Sequence, residues 1–148
     1  MGPLIPGGIL SLNHWSIFLL VPGGSVQLNM KNSPDPHSNR GVFEIRDRAY
    51  DKPHSAVRMF DLPAKPGVTV DSVEREIRDR KWDQYDMNES GAGCRWWIRT
   101  VMRGLAEKNY VEKDKVRALL KALRYNYPKK GKPILLEMKK GVFCSAKT

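Results

Sequence analysis

Two hydrophobic periods divide this chain. Up to about residue 63, apolar and polar residues alternate in short runs, the two-residue period of half-buried strands. From about residue 69, apolar residues return every third or fourth position, the period of amphipathic helices. The segment "HWSIFLLV" is aromatic and β-branched and closes on "PGG". "SVQLNM" alternates and is expected to pair back on it as a hairpin. "KNSPDPHSNR" has the composition of a loop, while "GVFEIRDRAY" and "AVRMFDLP" read as two further strands bridged by the turn-prone "DKPHS".

Three helices are expected after the strands. Thr69 or Asp71 caps a segment with Val70, Val73 and Ile77 on one face, ending near Trp82. In the second, Cys94, Trp97, Ile98, Val101, Met102 and Leu105 form one apolar stripe, with Arg95, Arg99 and Arg103 on the outer side. The third runs from about Glu112 to Tyr125 with Val116, Leu119, Leu120 and Leu123 inward. "YPKKGKP" stops it, and "ILLEM" reads as a final strand. Strands first and helices later predict an α+β fold, with an antiparallel sheet of N-terminal strands and the C-terminal helices packed on one face. Residues 1–148 read as a single domain: a Pro/Gly-rich lead-in over 1–12, strands over 13–63, helices over 69–127, and a C-terminal strand or tail over 133–148.

Charge changes this picture in one respect. The net charge is +10, but residues 1–92 carry 11 basic and 12 acidic side chains, and residues 93–148 carry 15 and 4. The excess is therefore local, and a basic surface on the C-terminal helix could attract an anionic ligand. Nucleic acid is not the expected partner, because no homeodomain, zinc-finger, RNP or KH signature accompanies the charge. Lysines on a solvated helix face explain it equally well.

Two cysteines, Cys94 and Cys144, make no disulfide framework, which points to a reducing compartment and a cytoplasmic protein. No C-x-x-C or Cys/His cluster has metal-ligand spacing, so neither a metal nor a cofactor is expected. "IFLLV" is too short for a signal h-region or a bilayer span, so no transmembrane segment is expected.

The chemistry-bearing candidate is Cys94. It follows the small-residue run Ser90-Gly91-Ala92-Gly93 and opens a helix. Unpaired N–H groups and the positive end of the helix dipole converge there, which favours a thiolate and could stabilise an oxyanion. A cysteine serving as a small hydrophobe beside a glycine turn is the plainer alternative. A nucleophilic thiol needs a base. His37 and His54 lie in loop and turn segments. His14 opens the first strand, and its alternation partners Ser16, Phe18 and Leu20 share one sheet face. If that face meets the second helix, His14 and Cys94 pair.

Gln27 and Asn29 are the candidates for a polar residue that orients the histidine. With a two-residue turn at Gly23-Gly24, Gln27 faces Leu20 and Asn29 faces Phe18, both on the His14 side. Gln27 is then about 20 Å along the strand from His14 and Asn29 about 13 Å, so neither reaches without a bulge or a longer loop. Trp96 and Trp97 point about 100° apart on a helix. Trp97 falls in the core stripe and Trp96 at its edge, so these two and Gly93 are the candidates for a pocket beside the thiol. Trp15 packs on the sheet face opposite His14.

"HWSIFLLVPGGSVQL" resembles the histidine box of the permuted papain-like fold, in the lecithin–retinol acyltransferase-like branch of the NlpC/P60 superfamily. "YDMNESGAGCRWWIRTVMRG" resembles its second box, with a Tyr, a polar loop, and a Cys heading a helix followed by aromatics. Histidine first and cysteine later is the permuted order. The two boxes span about 35 residues, under a quarter of the chain. The N-H-W and G-x-G-C-R-x-W signatures are also similar to those of an uncharacterised fungal domain family. The resemblance implies a thiol-dependent hydrolase or acyltransferase acting on an ester or amide, with a small-molecule, lipid or peptide-like substrate. Cys94 would be the nucleophile and His14 the base, with Gln27 placed third by alignment of the boxes and Asn29 by strand geometry. The alternative is a non-catalytic binding module of the same fold, using its basic C-terminal surface.

Overall fold

The structure, a computed structural model, describes residues 14–49, 60–88, 93–127 and 131–144. Its main sheet is an antiparallel meander of β1 (Ile17–Val21), β2 (Gly24–Lys31) and β3 (Val42–Arg48), in that spatial order. The β1–β2 turn is Pro22-Gly23 rather than Gly23-Gly24, because Val21 pairs with Gly24 and Phe18 with Gln27. Proline presets the first turn position, and Gly23 takes φ 82° at the second, the left-handed value that a type II turn demands. Gly24 is thereby an ordinary strand residue. The choice moves every cross-strand partner by two residues from the Gly23-Gly24 register, with consequences at the site.

Alternation sends Val26, Leu28 and Met30 of β2 into the core, while Gln27 and Asn29 stay half-buried on the other face. Helices α1 (Val70–Asp79), α2 (Cys94–Glu107) and α3 (Lys113–Ala122) follow. The α2 helix covers the apolar sheet face, where Trp97 packs on Phe43 with ring centroids 5.8 Å apart, and α1 and α3 lie against α2. The α+β class is therefore observed, with an N-terminal antiparallel sheet and three helices.

Helix ends follow local chemistry. Thr69, not Asp71, caps α1: its hydroxyl accepts from Ser72 N–H at 3.1 Å, and Ser72 Oγ accepts from Thr69 N–H at 2.8 Å. The helix stops at Asp79, short of Trp82. Lys81 turns left-handed (φ 57°), and the Trp82 and Lys81 N–H groups return to Ile77 and Arg78 carbonyls, a Schellman stop. The same motif ends α2 through Asn109 (φ 61°), with the Tyr110 and Asn109 N–H groups on Leu105 and Ala106.

Several expectations are corrected. Of "AVRMFDLP", residues 60–63 are not in a strand, and 56–59 lie outside the described residues. Helix α3 is shorter than 112–125, because Tyr125–Asn126 leaves it to form β5. The "ILLEM" segment supplies β6 (Ile134–Leu135), which pairs with β5 and not with the main sheet. A further pair, β4 (Tyr85–Asp86) with β7 (Val142–Phe143), had no sequence signal because each strand is two residues long. Val116, Leu119 and Leu123 are buried as expected, while Leu120 is half-buried against the core. Among the described residues, no helix is long and apolar enough to cross a membrane.

Candidate active site

Asn29 and His14 meet because of the register. Continued past the end of β1, the β1–β2 pairing sets Asn29 opposite Ser16, two residues from His14. The His14 ring accordingly reaches Asn29, with Nε2 2.5 Å from Oδ1. A carbonyl oxygen only accepts, so Nε2 carries the proton. Gln27 makes the equivalent reach one step along, donating to Ser16 Oγ at 3.2 Å and accepting from Arg48 Nε at 2.9 Å. Gln27 is thus committed elsewhere, and Asn29 is the residue that meets the His14 ring.

The Cys94 side chain also hydrogen-bonds to His14. This pair is not made across the sheet–helix interface, since α2 lies on the apolar face and His14 follows the polar one. It forms at the end of the sheet, where residues 14–16 precede β1 and the start of α2 comes alongside. The Trp15 backbone N–H also donates to the sulfur. The Trp15 ring packs away from the site, stacked on Phe60 at 5.9 Å.

The two partners shift each other in opposite directions. Burial pushes the Cys94 thiol up, but the hydrogen bond and charge of His14, the Trp15 N–H and the Arg95 charge together outweigh it, and the thiol lies below its ordinary value. His14 is raised, first by its hydrogen bond to Cys94, against an opposing contribution from burial, with help from the sulfur's charge and from Asn29. Both directions favour a thiolate–imidazolium pair.

The start of α2 is built around this sulfur. Gly93 precedes Cys94 with φ 139°, a conformation that suits glycine and strains other residues. Its carbonyl accepts from Tyr85 Oη at 2.8 Å and from Trp97 N–H at 3.1 Å. Tyr85 Oη in turn accepts from Gly141 N–H at 2.9 Å. Tyr85 is fully buried, and that burial raises its phenol far above the ordinary range, so it stays a neutral donor. Among the described residues, no side chain caps the helix. Helix geometry therefore leaves the first N–H groups, those of Cys94, Arg95 and Trp96, without intrahelical acceptors beside the thiol.

Of the remaining sequence candidates, Trp97 belongs to the core. It is fully buried, and its indole N–H donates to Trp82 O at 2.7 Å. Trp96 is half-buried at the edge of α2, with Arg99 and Lys140 over its ring. His37 is exposed in its loop, and His54 lies outside the described residues. Cys144 is half-buried on β7's flank, with Sγ 3.7 Å from Val142 O. Lys113, Lys121 and Arg124 are exposed on and beside α3.

Arg95 departs from its expected outer position. Its guanidinium folds back to donate to Leu123 O at 2.7 Å, Leu136 O at 3.1 Å and Glu137 O at 2.7 Å. One available signal was missed: a cation in a helix's first turn opposes the dipole and needs compensation from outside the helix.

Together these features define an α+β domain that presents a histidine-coupled cysteine at an uncapped helix start. The chain matches the model of the family described as "Domain of unknown function (DUF7770)" over residues 5–144, and it belongs to that family. No curated protein and no solved structure matches it.

Proposed function

We propose that this protein is a cysteine-dependent hydrolase or acyltransferase acting on an ester or amide, with Cys94 as nucleophile, His14 as acid–base and Asn29 as the residue that orients the imidazole. The observation that carries it is the continuous hydrogen-bonded series Cys94–His14–Asn29, with the thiol shifted down and the imidazole up. A histidine just ahead of β1 and a cysteine heading α2 fit a permuted papain-like plan of the NlpC/P60 type, and two free cysteines suit a cytoplasmic, reducing setting.

In the first half-reaction the Cys94 thiolate attacks the carbonyl carbon, forming the C–S bond and placing negative charge on the carbonyl oxygen. The N–H groups at the start of α2, which have no intrahelical acceptors, would receive that charge. Collapse breaks the C–O or C–N bond, and the His14 imidazolium gives its proton to the departing alcohol or amine, leaving a thioester. In the second half His14 takes a proton from water or an acceptor nucleophile, which attacks the thioester and releases Cys94 as the thiolate. Tyr85 and Gly93 do not enter these steps; they hold the helix start in position.

The test uses p-nitrophenyl acetate with the full chain. The expected result is a burst of p-nitrophenol matching the protein in amount, and a single acetyl group on Cys94 by mass spectrometry, absent in Cys94→Ala. Equal hydrolysis by wild type and Cys94→Ala, with no adduct, rejects the proposal. The alternative of a binding module rests on the exposed Lys113, Lys121 and Arg124. Its mark would be salt-dependent retention on heparin, lost when these charges are reversed.

A further inference from the structure

Arg95 stands where a helix tolerates a cation least. It occupies the first turn of α2, where the dipole is positive, and burial pushes its pKa down because a desolvated charge is disfavoured. Three backbone carbonyls hold it there. Nη1 donates to Leu123 O at 2.7 Å and to Leu136 O at 3.1 Å, and Nη2 donates to Glu137 O at 2.7 Å. Leu123 is the C-cap of α3, so one arm of this clamp reaches the negative end of another helix dipole. Leu136 and Glu137 follow β6 directly, and the Leu136 N–H donates to Arg124 O at 2.9 Å, which ties their segment to the end of α3.

All three acceptors are neutral, so the charge is fixed in place without being cancelled. Among the described residues the ion pairs are made by other side chains, and the acidic residue of the clamp segment, Glu137, gives its carboxylate to Lys139 at 3.2 Å. A guanidinium that only tied segments together would be easier to bury with a carboxylate beside it. The opposite charge that Arg95 acts on is the sulfur: Arg95 and Cys94 each favour the other's ionised form. Arginine keeps its proton at any working pH, so its field at the sulfur is constant, whereas that of His14 vanishes when the imidazole deprotonates.

We propose that Arg95 is a positioning residue for the thiol chemistry: pinned by the carbonyls of Leu123, Leu136 and Glu137, it holds a permanent positive charge beside Cys94 that keeps the thiolate populated. The docking of residues 136–137 on the helix start is what keeps that charge in place. This role rests on the proposed use of Cys94 as nucleophile, and it divides the work between two cations. The ionisable groups that interact with the sulfur are His14 from ahead of β1, Arg95 on α2 and Tyr85 from β4, and Tyr85 stays neutral. His14 moves the proton. Arg95 neither gives nor takes one, and sets how much thiolate is present.

The test is the pH profile of iodoacetamide labelling at Cys94, read by mass spectrometry on the full chain as wild type, Arg95→Gln and Arg95→Lys, with urea unfolding of each. Gln keeps donors and loses the charge, while Lys keeps the charge and loses the planar fork. Both variants weaken the clamp, so both lose stability; the profile is what separates charge from stapling. In Arg95→Gln the half-point should rise, and labelling one pH unit below the wild-type half-point should slow about three- to tenfold. Arg95→Lys should lie nearer to wild type than Arg95→Gln does. An Arg95→Gln profile that matches wild type overturns the proposal, and so does an equal shift in the two variants. If Arg95→Gln does not fold, Arg95→Lys decides alone: a rate within about twofold of wild type at that pH sustains the charge role, and a larger loss overturns it. Failure of the thiol chemistry reads differently: a wild-type profile unmoved by His14→Ala, with no acetyl group on Cys94 from p-nitrophenyl acetate, removes the nucleophile whatever Arg95 does.

Discussion

The starts of α1 and α2 meet the same electrostatic problem and answer it in opposite ways. At α1, Thr69 and Ser72 satisfy each other's backbone N–H groups, and Asp71 adds a negative charge in the first turn. At α2, among the described residues, there is no side-chain cap and no acidic residue in the first turn, and the preceding residue is a glycine at φ 139°. The first helix end is closed by its own side chains and contributes stability. The second has no such cap among the described residues, and its surroundings come from elsewhere: Tyr85 from β4, His14 from before β1, and Arg95 pinned to the segment around β6. An open helix start held by distant elements suits the binding of transient negative charge; a capped one does not.

The sharpest way to break this contrast is at the sulfur. Cys94→Ser should lower the rate of acyl transfer from p-nitrophenyl acetate by at least about 10³-fold, measured by release of p-nitrophenol, because a neutral hydroxyl at this site is a far poorer nucleophile.

Removing the partner comes next. Thiolate fraction rises as pH passes the thiol pKa, and the wild-type value is lowered, so labelling by iodoacetamide should already be substantial near neutral pH. Without His14 the half-point moves upward toward the ordinary thiol value of about 8.5, and labelling of His14→Ala at pH 6.5 should slow by about 10–100-fold. Above that half-point the two proteins should converge. Asn29→Ala should shift the profile in the same direction by less, and more than Gln27→Ala does. The reverse order would restore the Gln27 assignment.

Gly93→Ala tests whether the open start is conformationally built. A side chain at φ 139° is strained, and its Cβ would come 3.0 Å from Tyr85 Oη and 3.3 Å from Met87 Sδ. A loss of about 1–3 kcal/mol in urea unfolding is expected. The smallest effect belongs to the closed end: Thr69→Ala should cost about 0.5–2 kcal/mol and leave Cys94 labelling as it is in wild type. Slower labelling in Thr69→Ala would mean that the two helix starts are coupled, and that their difference is not local.

Much of this contrast was legible along the chain. The two hydrophobic periods located the meander and all three helices, because strand alternation and helical amphipathicity are short-range properties. Cys94 could be placed on the first turn of α2 for the same reason. The stops of α1 and α2 were harder, since Lys81 and Asn109 turn left-handed without the glycine that normally marks such a position. The pairs β4–β7 and β5–β6 were invisible, because two-residue strands have no period.

By itself, then, the sequence determined the three strands of the main sheet, the three helices, the apolar stripe of α2 and the thiol at its start, and it narrowed the cap of α1 to Thr69 or Asp71. Each depends on residues within a turn or two of one another. Only the tertiary structure decided that Asn29 and not Gln27 serves His14, because moving the hairpin turn from Gly23-Gly24 to Pro22-Gly23 shifts cross-strand partners by two residues, about 6.6 Å. It alone brought His14 to Cys94 at the end of the sheet. It also turned Arg95 inward, onto carbonyls 28 to 42 residues away in sequence. Contacts of that separation are chosen by how whole elements pack, and no local pattern encodes them.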